Sequence, residues 1–373
     1  MRRKILIVIS NIDYSLGFEW LASYTDKSRF ELIFVFLNQE KPTLVKIVED
    51  LGLQVWFLKY SGKKNIPSVA FQLYKIIRKI KPDTIHTHLF DASLIALPIS
   101  RLAGIKQRIY TRHHSTYHHV YHPSMVKYDR FINNQCTQIV AISDNVSQVL
   151  IDLENVPSEK IVLIHHGFEI EKFGVPDLNQ VNRLKANLKV AGKYPVIGVI
   201  SRYTEWKGVQ FIIPAFKELL VVYPDAKLIL ANANGDYKKE ITTLLRSLPD
   251  GSYAEIAFEK DIFSLYALFD IFVHVPVDSE SEAFGQTYIE SLAAGVSSIF
   301  TLSGIAREFI THEKNAWVVP FKNSEEIYSS FVKILANPEL AKKIQVKGKA
   351  DVKDLFPVKI MIQKLEELYA AGA

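Results

Sequence analysis

Apolar residues along this chain fall in short runs separated by amphipathic stretches. Lys4–Ile9, Phe30–Phe36, Val55–Leu58, Thr84–His86, Gln107–Tyr110, Gln138–Ile142 and Ile161–Ile164 are short runs that predict buried strands. Between them, Gly17–Tyr24, Lys41–Leu51, Ser68–Lys79, Ala92–Ala103, Met125–Gln135 and Asp144–Asp152 repeat apolar positions at helical spacing. Strand–helix alternation of this kind predicts an α/β fold with a doubly wound parallel sheet. The pattern then restarts. Val196–Ser201, Lys227–Ala231, Ile256–Phe258, Ile271–Val275 and Ser297–Thr301 predict strands, with helices over Gly208–Tyr223 and Lys238–Ser247. Gly174–Lys189 holds Pro176 and few large apolar residues; its first part reads as a linker and Gln180–Leu188 as a helix. A last helix near Val358–Tyr369 follows Phe356-Pro357. At 373 residues the length suits two such domains. Ligands of these sheets sit outside the strand C-terminal ends, so functional motifs should directly follow strands.

One does. The stretch SESEAFGQTYIESLAAG, Ser279–Gly295, follows the strand Ile271–Val275 as a loop and then a helix from Gln286, with Gly295 as its C-cap. The backbone N–H groups near Gly285, Gln286 and Thr287 head that helix and suit phosphate oxygens or sugar hydroxyls. Glu290, one turn in, suits the vicinal hydroxyls of a ribose, and Glu282, before the helix, those of a second sugar. Diol, phosphate and diol describe a nucleotide-sugar. Against this stands plain helix chemistry, since glutamate near a helix start is common. A second motif, SRYTEWKG (Ser201–Gly208), places Arg202 at a strand end and Lys207 before the next helix. Two cations there can neutralise a leaving diphosphate without a metal.

With these residues the sequence resembles family 4 of the retaining glycosyltransferases, over nearly the whole chain. The marks are E-A-F-G-Q-T-Y-I-E (Glu282–Glu290), Arg202 with Lys207, Y-A-L-F-D-I-F-V (Tyr266–Val273) and S-G-I-A-R-E (Ser303–Glu308). The resemblance implies a GT-B fold, two Rossmann-like domains facing across a cleft, with the last helix crossing back to the first. It divides the chain into an acceptor domain, 1–173 with 353–373, and a donor domain, 174–352. It implies Glu290 on the donor ribose, Glu282 on the transferred sugar, and Arg202 and Lys207 on the diphosphate. Phe284, Gly285 and Gln286 would offer backbone amides, and the base would rest near Phe258 and Glu259. A histidine after Gln107–Tyr110 would face the reaction centre; His113 matches it best, and His88 is a second candidate. On the acceptor side, Asn11–Glu19 has only Gly17 where the family often has paired glycines. The implied reaction is front-face transfer with retention, in which the leaving phosphate takes the acceptor proton and no metal or other cofactor is needed. A nucleotide-sugar epimerase of the same fold and a non-catalytic nucleotide-sugar-binding partner are the alternatives.

Nine of eleven histidines lie in the first half, and His114, His118 and His122 have i, i+4 spacing. No carboxylate lies among them in sequence and Pro123 ends the run, so hydrogen-bonding roles are expected rather than a metal. Charge is uneven: residues 51–128 carry twelve Lys+Arg against Asp83 and Asp91. On Ser68–Lys79 the cations Lys75, Arg78 and Lys79 share one helix face, with Lys59, Lys63, Lys64 and Lys81 flanking it. Residues 59–81 are therefore a candidate contact with anionic lipid, suited to a saccharide or lipid-linked acceptor. No nucleic-acid-binding module appears, and no G-x-G-x-x-G follows the first strand, which argues against a dehydrogenase. One cysteine, Cys136, excludes an internal disulfide. The first apolar run is too short for a signal-peptide core. A cytoplasmic enzyme of bacterial polysaccharide or glycolipid synthesis, peripheral on the inner membrane face, is the expectation.

Overall fold

A computed structural model describes residues 2–372. The chain folds as two compact units: one ends at Phe168 and takes up again at Val358, and the other is Glu169–Pro357. The first unit has seven strands: β1 (Arg3–Ser10), β2 (Phe30–Asn38), β3 (Gln54–Lys59), β4 (Thr84–His88), β5 (Gln107–Arg112), β6 (Gln138–Ala141) and β7 (Ile161–Leu163). They form one parallel sheet in the order β3-β2-β1-β4-β5-β6-β7. Ile5–Ile9 is wholly buried because helices cover both faces of this central strand, which is why it reads as an unbroken apolar run.

The second unit has β8 (Val196–Ile200), β9 (Lys227–Ala231), β10 (Tyr253–Ile256), β11 (Ile271–His274), β12 (Ser297–Phe300) and β13 (Trp317–Val318), in the order β10-β9-β8-β11-β12-β13. Both sheets therefore reverse direction once, between β1 and β4 and between β8 and β11. Those two switch points are where such sheets open a crevice for ligands.

Several elements differ from expectation. β10 lies three residues earlier than Ile256–Phe258, because the Ala233 amide closes the ladder on the Ile256 carbonyl (3.1 Å). Phe258 is left in the loop beyond, 58% exposed. β4 runs on to His88, since His86 and His88 are buried in the sheet rather than ending it. The helix expected over Asp144–Asp152 changes to a wider π turn at Val149–Leu153. The final helix, Val358–Ala371, belongs to the first unit. It begins with the Val358 amide on the Phe168 carbonyl (2.9 Å), and near its end the Gln107 side chain donates to the Leu368 carbonyl (2.7 Å). No helix among the described residues is long and apolar enough to cross a membrane.

Candidate active site

In the second unit, the loops after β8 and β11 lock together. The Val277 amide donates to the Trp206 carbonyl (3.0 Å). Gly208 has φ 75°, and a Cβ there would stand 1.8 Å from the Val275 carbonyl oxygen, so only glycine lets the two loops approach this closely. This contact brings Lys207 to Glu282, seventy-five residues away in sequence, as an ion pair. His274, the last residue of β11, donates from Nε2 to the same carboxylate (3.0 Å). Burial alone would raise the Glu282 carboxyl. The Lys207 ammonium and then the His274 hydrogen bond outweigh it and hold the group down at about 2. Burial keeps His274 below its ordinary value despite the carboxylate, so it serves as a neutral donor.

The helix Gln286–Ala293 starts beside this ion pair. Gly285 caps it at φ 86°, and a Cβ there would meet the Tyr288 ring at 2.6 Å. The Tyr288 amide returns to the Gly285 carbonyl (3.1 Å), while the amides of Gly285, Gln286 and Thr287 precede any intrahelical acceptor. The Thr287 hydroxyl is buried with no hydrogen-bond partner among the described residues. Phe284 turns its ring inward, edge-on to Phe356 (6.1 Å), so only its backbone faces the loop. Gly304 presses on Glu282 and on the Phe284 carbonyl, each 2.8 Å from where its Cβ would be. The S-G-I-A-R-E loop thereby fixes the height of the glutamate.

Glu290 is buried within the helix and accepts from the Tyr266 hydroxyl (2.9 Å). Burial raises its carboxyl to about 7, against the pull of that hydrogen bond. Two glutamates of one motif thus sit in opposite electrostatic settings. Arg202 is exposed just past β8. Glu259 accepts from Arg183 (3.3 Å) and from the Asp261 amide (3.0 Å), next to the exposed Phe258 ring.

In the first unit, His88 ends β4 and His113 directly follows the neighbouring β5, and His88 Nδ1 and His113 Nε2 are 3.1 Å apart. Behind them His86 lies between the Tyr369 hydroxyl (2.8 Å) and the Thr111 hydroxyl (2.6 Å). In front, the His166 ring stacks on His113 at 5.5 Å. Burial lowers all four imidazoles, His86 to about 3 and His166 to about 4, so the row is neutral. Gly17 lies in the first turn of the helix Leu16–Tyr24, whose Phe18 is edge-on to His88 (4.8 Å). An added Cβ at Gly17 would meet only Ser15 Oγ, at 3.7 Å, so close backbone packing does not demand glycine there.

The expected isolation of His114 and His118 from carboxylates does not hold. A short helix, Tyr117–Tyr121, carries His118 to Asp129 (2.7 Å), which His114 in the preceding loop also meets (3.2 Å), while His122 contacts the Tyr117 hydroxyl (3.0 Å). The three could hold a metal ion by spacing. The Arg112 guanidinium, however, already sits 3.3 Å from Asp129 and holds Glu154 at 2.6 Å, supplying the positive charge this buried cluster needs.

Sequence reasoning missed His274, Tyr266 and Ser303 as contacts of the two glutamates, and His86, Arg112, His166 and Tyr369 in the first unit. The signal available for His274 was its place at a strand end; the others meet their partners only through tertiary packing.

The family model described as glycosyl transferases group 1 matches residues 180–351, and the one described as glycosyltransferase family 4 matches residues 21–172. This chain belongs to glycosyltransferase family 4. An alpha-monoglucosyldiacylglycerol synthase of Acholeplasma laidlawii is 24% identical to the glycosyltransferase over 326 residues, 81% of this chain and 80% of that one. A crystal structure of a glycosyltransferase from Rickettsia africae matches with a TM-score of 0.82 at 22% identity, covering 100% of this chain and 98% of that one. HepE of Anabaena, crystallised in complex with UDP and glucose, matches with a TM-score of 0.83 at 18% identity, covering 98% and 99%. The fold is GT-B, as the resemblance implied. Membership selects transfer over the epimerase and binding-partner readings.

Proposed function

We propose that this glycosyltransferase moves a sugar from a nucleotide-sugar donor to a saccharide or lipid-linked acceptor, with retention and without a metal. The observation that carries the reading is the switch point of the second sheet. There a cation, two buried carboxylates of opposite electrostatic setting and a helix start with an orphaned hydroxyl stand together. Each suits a different part of such a donor. Lys207 and Arg202 take the diphosphate and stabilise the charge that builds on it as the bond to the sugar breaks. Glu282 takes hydroxyls of the transferred sugar and, through its ion pair, fixes Lys207. Glu290 accepts from the ribose diol. The amides of Phe284, Gly285 and Gln286 and the Thr287 hydroxyl complete the sugar and phosphate contacts. Phe258 offers an exposed ring for the base beside Glu259.

His113, oriented by His88, and the open Gly17 turn serve the acceptor side. The favoured mechanism has the acceptor hydroxyl attack on the face that the diphosphate leaves. The leaving phosphate takes the proton, and position and charge do the rest. The HepE complex makes UDP-glucose the first donor to test. The name of the Acholeplasma relative makes a diacylglycerol lipid a reasonable acceptor.

A peripheral cytoplasmic enzyme of polysaccharide or glycolipid assembly, on the inner membrane face, follows from that acceptor. The basic helix Ile66–Ile80 supports it: Lys75 lies over Phe71 (4.4 Å), itself 59% exposed, and Lys79 over Trp56 (5.3 Å). Co-sedimentation with vesicles should rise with anionic lipid content. The enzymatic test is product formation from UDP-glucose and a diacylglycerol or saccharide acceptor, with and without EDTA, and the anomeric configuration read by NMR. An inverted product, or transfer that stops in EDTA and returns with a divalent ion, would overturn the mechanism.

A further inference from the structure

The N-terminal ends of β1 and β2 and the last turn of the helix Val358–Ala371 border an open surface cavity of ≈ 490 Å³, lined by Arg2, Arg3, Ser28, Arg29, Phe30 and Ala370. It lies at the opposite end of the first sheet from His88 and His113, and no residue of the donor motif belongs to it. Among the described residues, three of the six that line it are arginines and none is acidic.

Their hydrogen bonding is thin. Among the described residues, the Arg2 side chain reaches the Lys27 carbonyl and the Arg3 side chain the Gln107 side chain, each at 3.4 Å. Arg3 Nε is buried with no partner among the described residues. A guanidinium N–H hidden from water without an acceptor is an unfavourable arrangement that a bound anion would relieve. The nearby carboxylates are already engaged. Asp26 accepts from the Ser28 amide (2.8 Å) and hydroxyl (2.6 Å). Glu366 accepts from the Asp26 amide (2.7 Å) and pairs with Arg29 at 3.3 Å. Against these two engaged carboxylates stand the three guanidiniums of Arg2, Arg3 and Arg29.

We infer that this cavity is a second anion site, which takes the phosphate group of a phosphomonoester, free or on a lipid headgroup. Planar guanidiniums match phosphate oxygens in pairs, and the volume leaves room for the group the phosphate carries. Occupancy ties the last turn of the helix Val358–Ala371 to the first strands. That helix also carries Tyr369 to His86, so binding here steadies the row of histidines from behind.

The test is calorimetric titration with inorganic phosphate and with glycerol 3-phosphate at fixed ionic strength. Flotation with phosphatidylcholine vesicles, with and without phosphatidic acid, runs in parallel. Wild type is compared with Arg3→Gln, Arg29→Gln and Arg202→Gln. The expected result is saturable phosphate binding that weakens at least about tenfold in Arg3→Gln and Arg29→Gln and persists in Arg202→Gln. A response to phosphatidic acid vesicles alone, lost in the same two variants, supports the site with a lipid headgroup as its source. Phosphate binding lost only in Arg202→Gln would assign the signal to the donor cations and overturn the inference, as would no response in either arm. If Arg3→Gln does not fold, Arg29→Gln, whose side chain is 54% exposed, decides.

Discussion

Glu290→Gln should make the protein more stable near neutral pH and worse at holding its donor. Glu290 is 8% exposed, and burial raises its carboxyl from 4.5 to about 7. That difference corresponds to about 3 kcal/mol. The folded state holds the proton more tightly than the unfolded chain. The stability it contributes is therefore full below about pH 4.5 and is lost as pH rises through about 7. The variant keeps an oxygen for the Tyr266 hydroxyl but has no charge to bury. Unfolding midpoints of both proteins across this range cancel every other titrating group. Near pH 4 the two should differ little. At about pH 8 the variant should melt higher by roughly 6 to 12 °C, for a unit of this size. Parallel curves across the whole range would refute the reasoning. The same variant should bind UDP at least about tenfold more weakly, because a neutral amide is a poorer acceptor for a diol than a carboxylate. Binding to the ionised carboxylate should also release a proton at pH below about 7, which calorimetry in two buffers detects.

Lys207→Ala should lower turnover about a hundredfold, ~3 kcal/mol, as for loss of one charge-stabilising donor, and near wild-type turnover would sink its assigned role. It should also lower stability, by removing the cation from the buried Glu282 carboxylate that His274 also contacts. Glu282 titrates in the reverse sense to Glu290. Its pKa is held at about 2, so its contribution is present above about pH 4.5 and lost as pH falls through 2, and Glu282→Gln should flatten the acid limb of the stability profile. Gly208→Ala, with a Cβ forced to 1.8 Å from the Val275 carbonyl, should cost well over ~1 kcal/mol; an unchanged midpoint would mean that the two loops are not packed as described. Tyr369→Phe removes the hydroxyl on His86 and should cost about 1 kcal/mol, with UDP affinity unchanged.

Much of the fold was legible because both sheets are parallel and covered on both faces. That makes strands such as Ile5–Ile9 and Lys227–Ala231 stand out as apolar runs. Strand ends were harder where buried side chains are polar: the strand expected to end at His86 runs on to His88, and Thr111 and Tyr369 satisfy the buried His86 imidazole within it. The donor motif was legible from spacing, because Glu282, Gly285 and Glu290 are local to one helix start. Its ion pair was not. Glu282 meets Lys207 only because Gly208 lets the loop after β8 lie against the loop after β11, a tertiary contact without a local pattern. The same holds for Asp129, which joins His114 and His118 from a later helix.

The central claim is that the loops after β8 and β11 hold a nucleotide-sugar through Glu290 and the Lys207 cation. Thermal unfolding of wild type and Glu290→Ala against UDP, GDP, ADP and CMP tests it most directly. One nucleotide at about a hundred times its dissociation constant should add ~2.7 kcal/mol to the wild type and much less to Glu290→Ala. No shift with any nucleotide, or an equal shift in both proteins, would contradict the assignment.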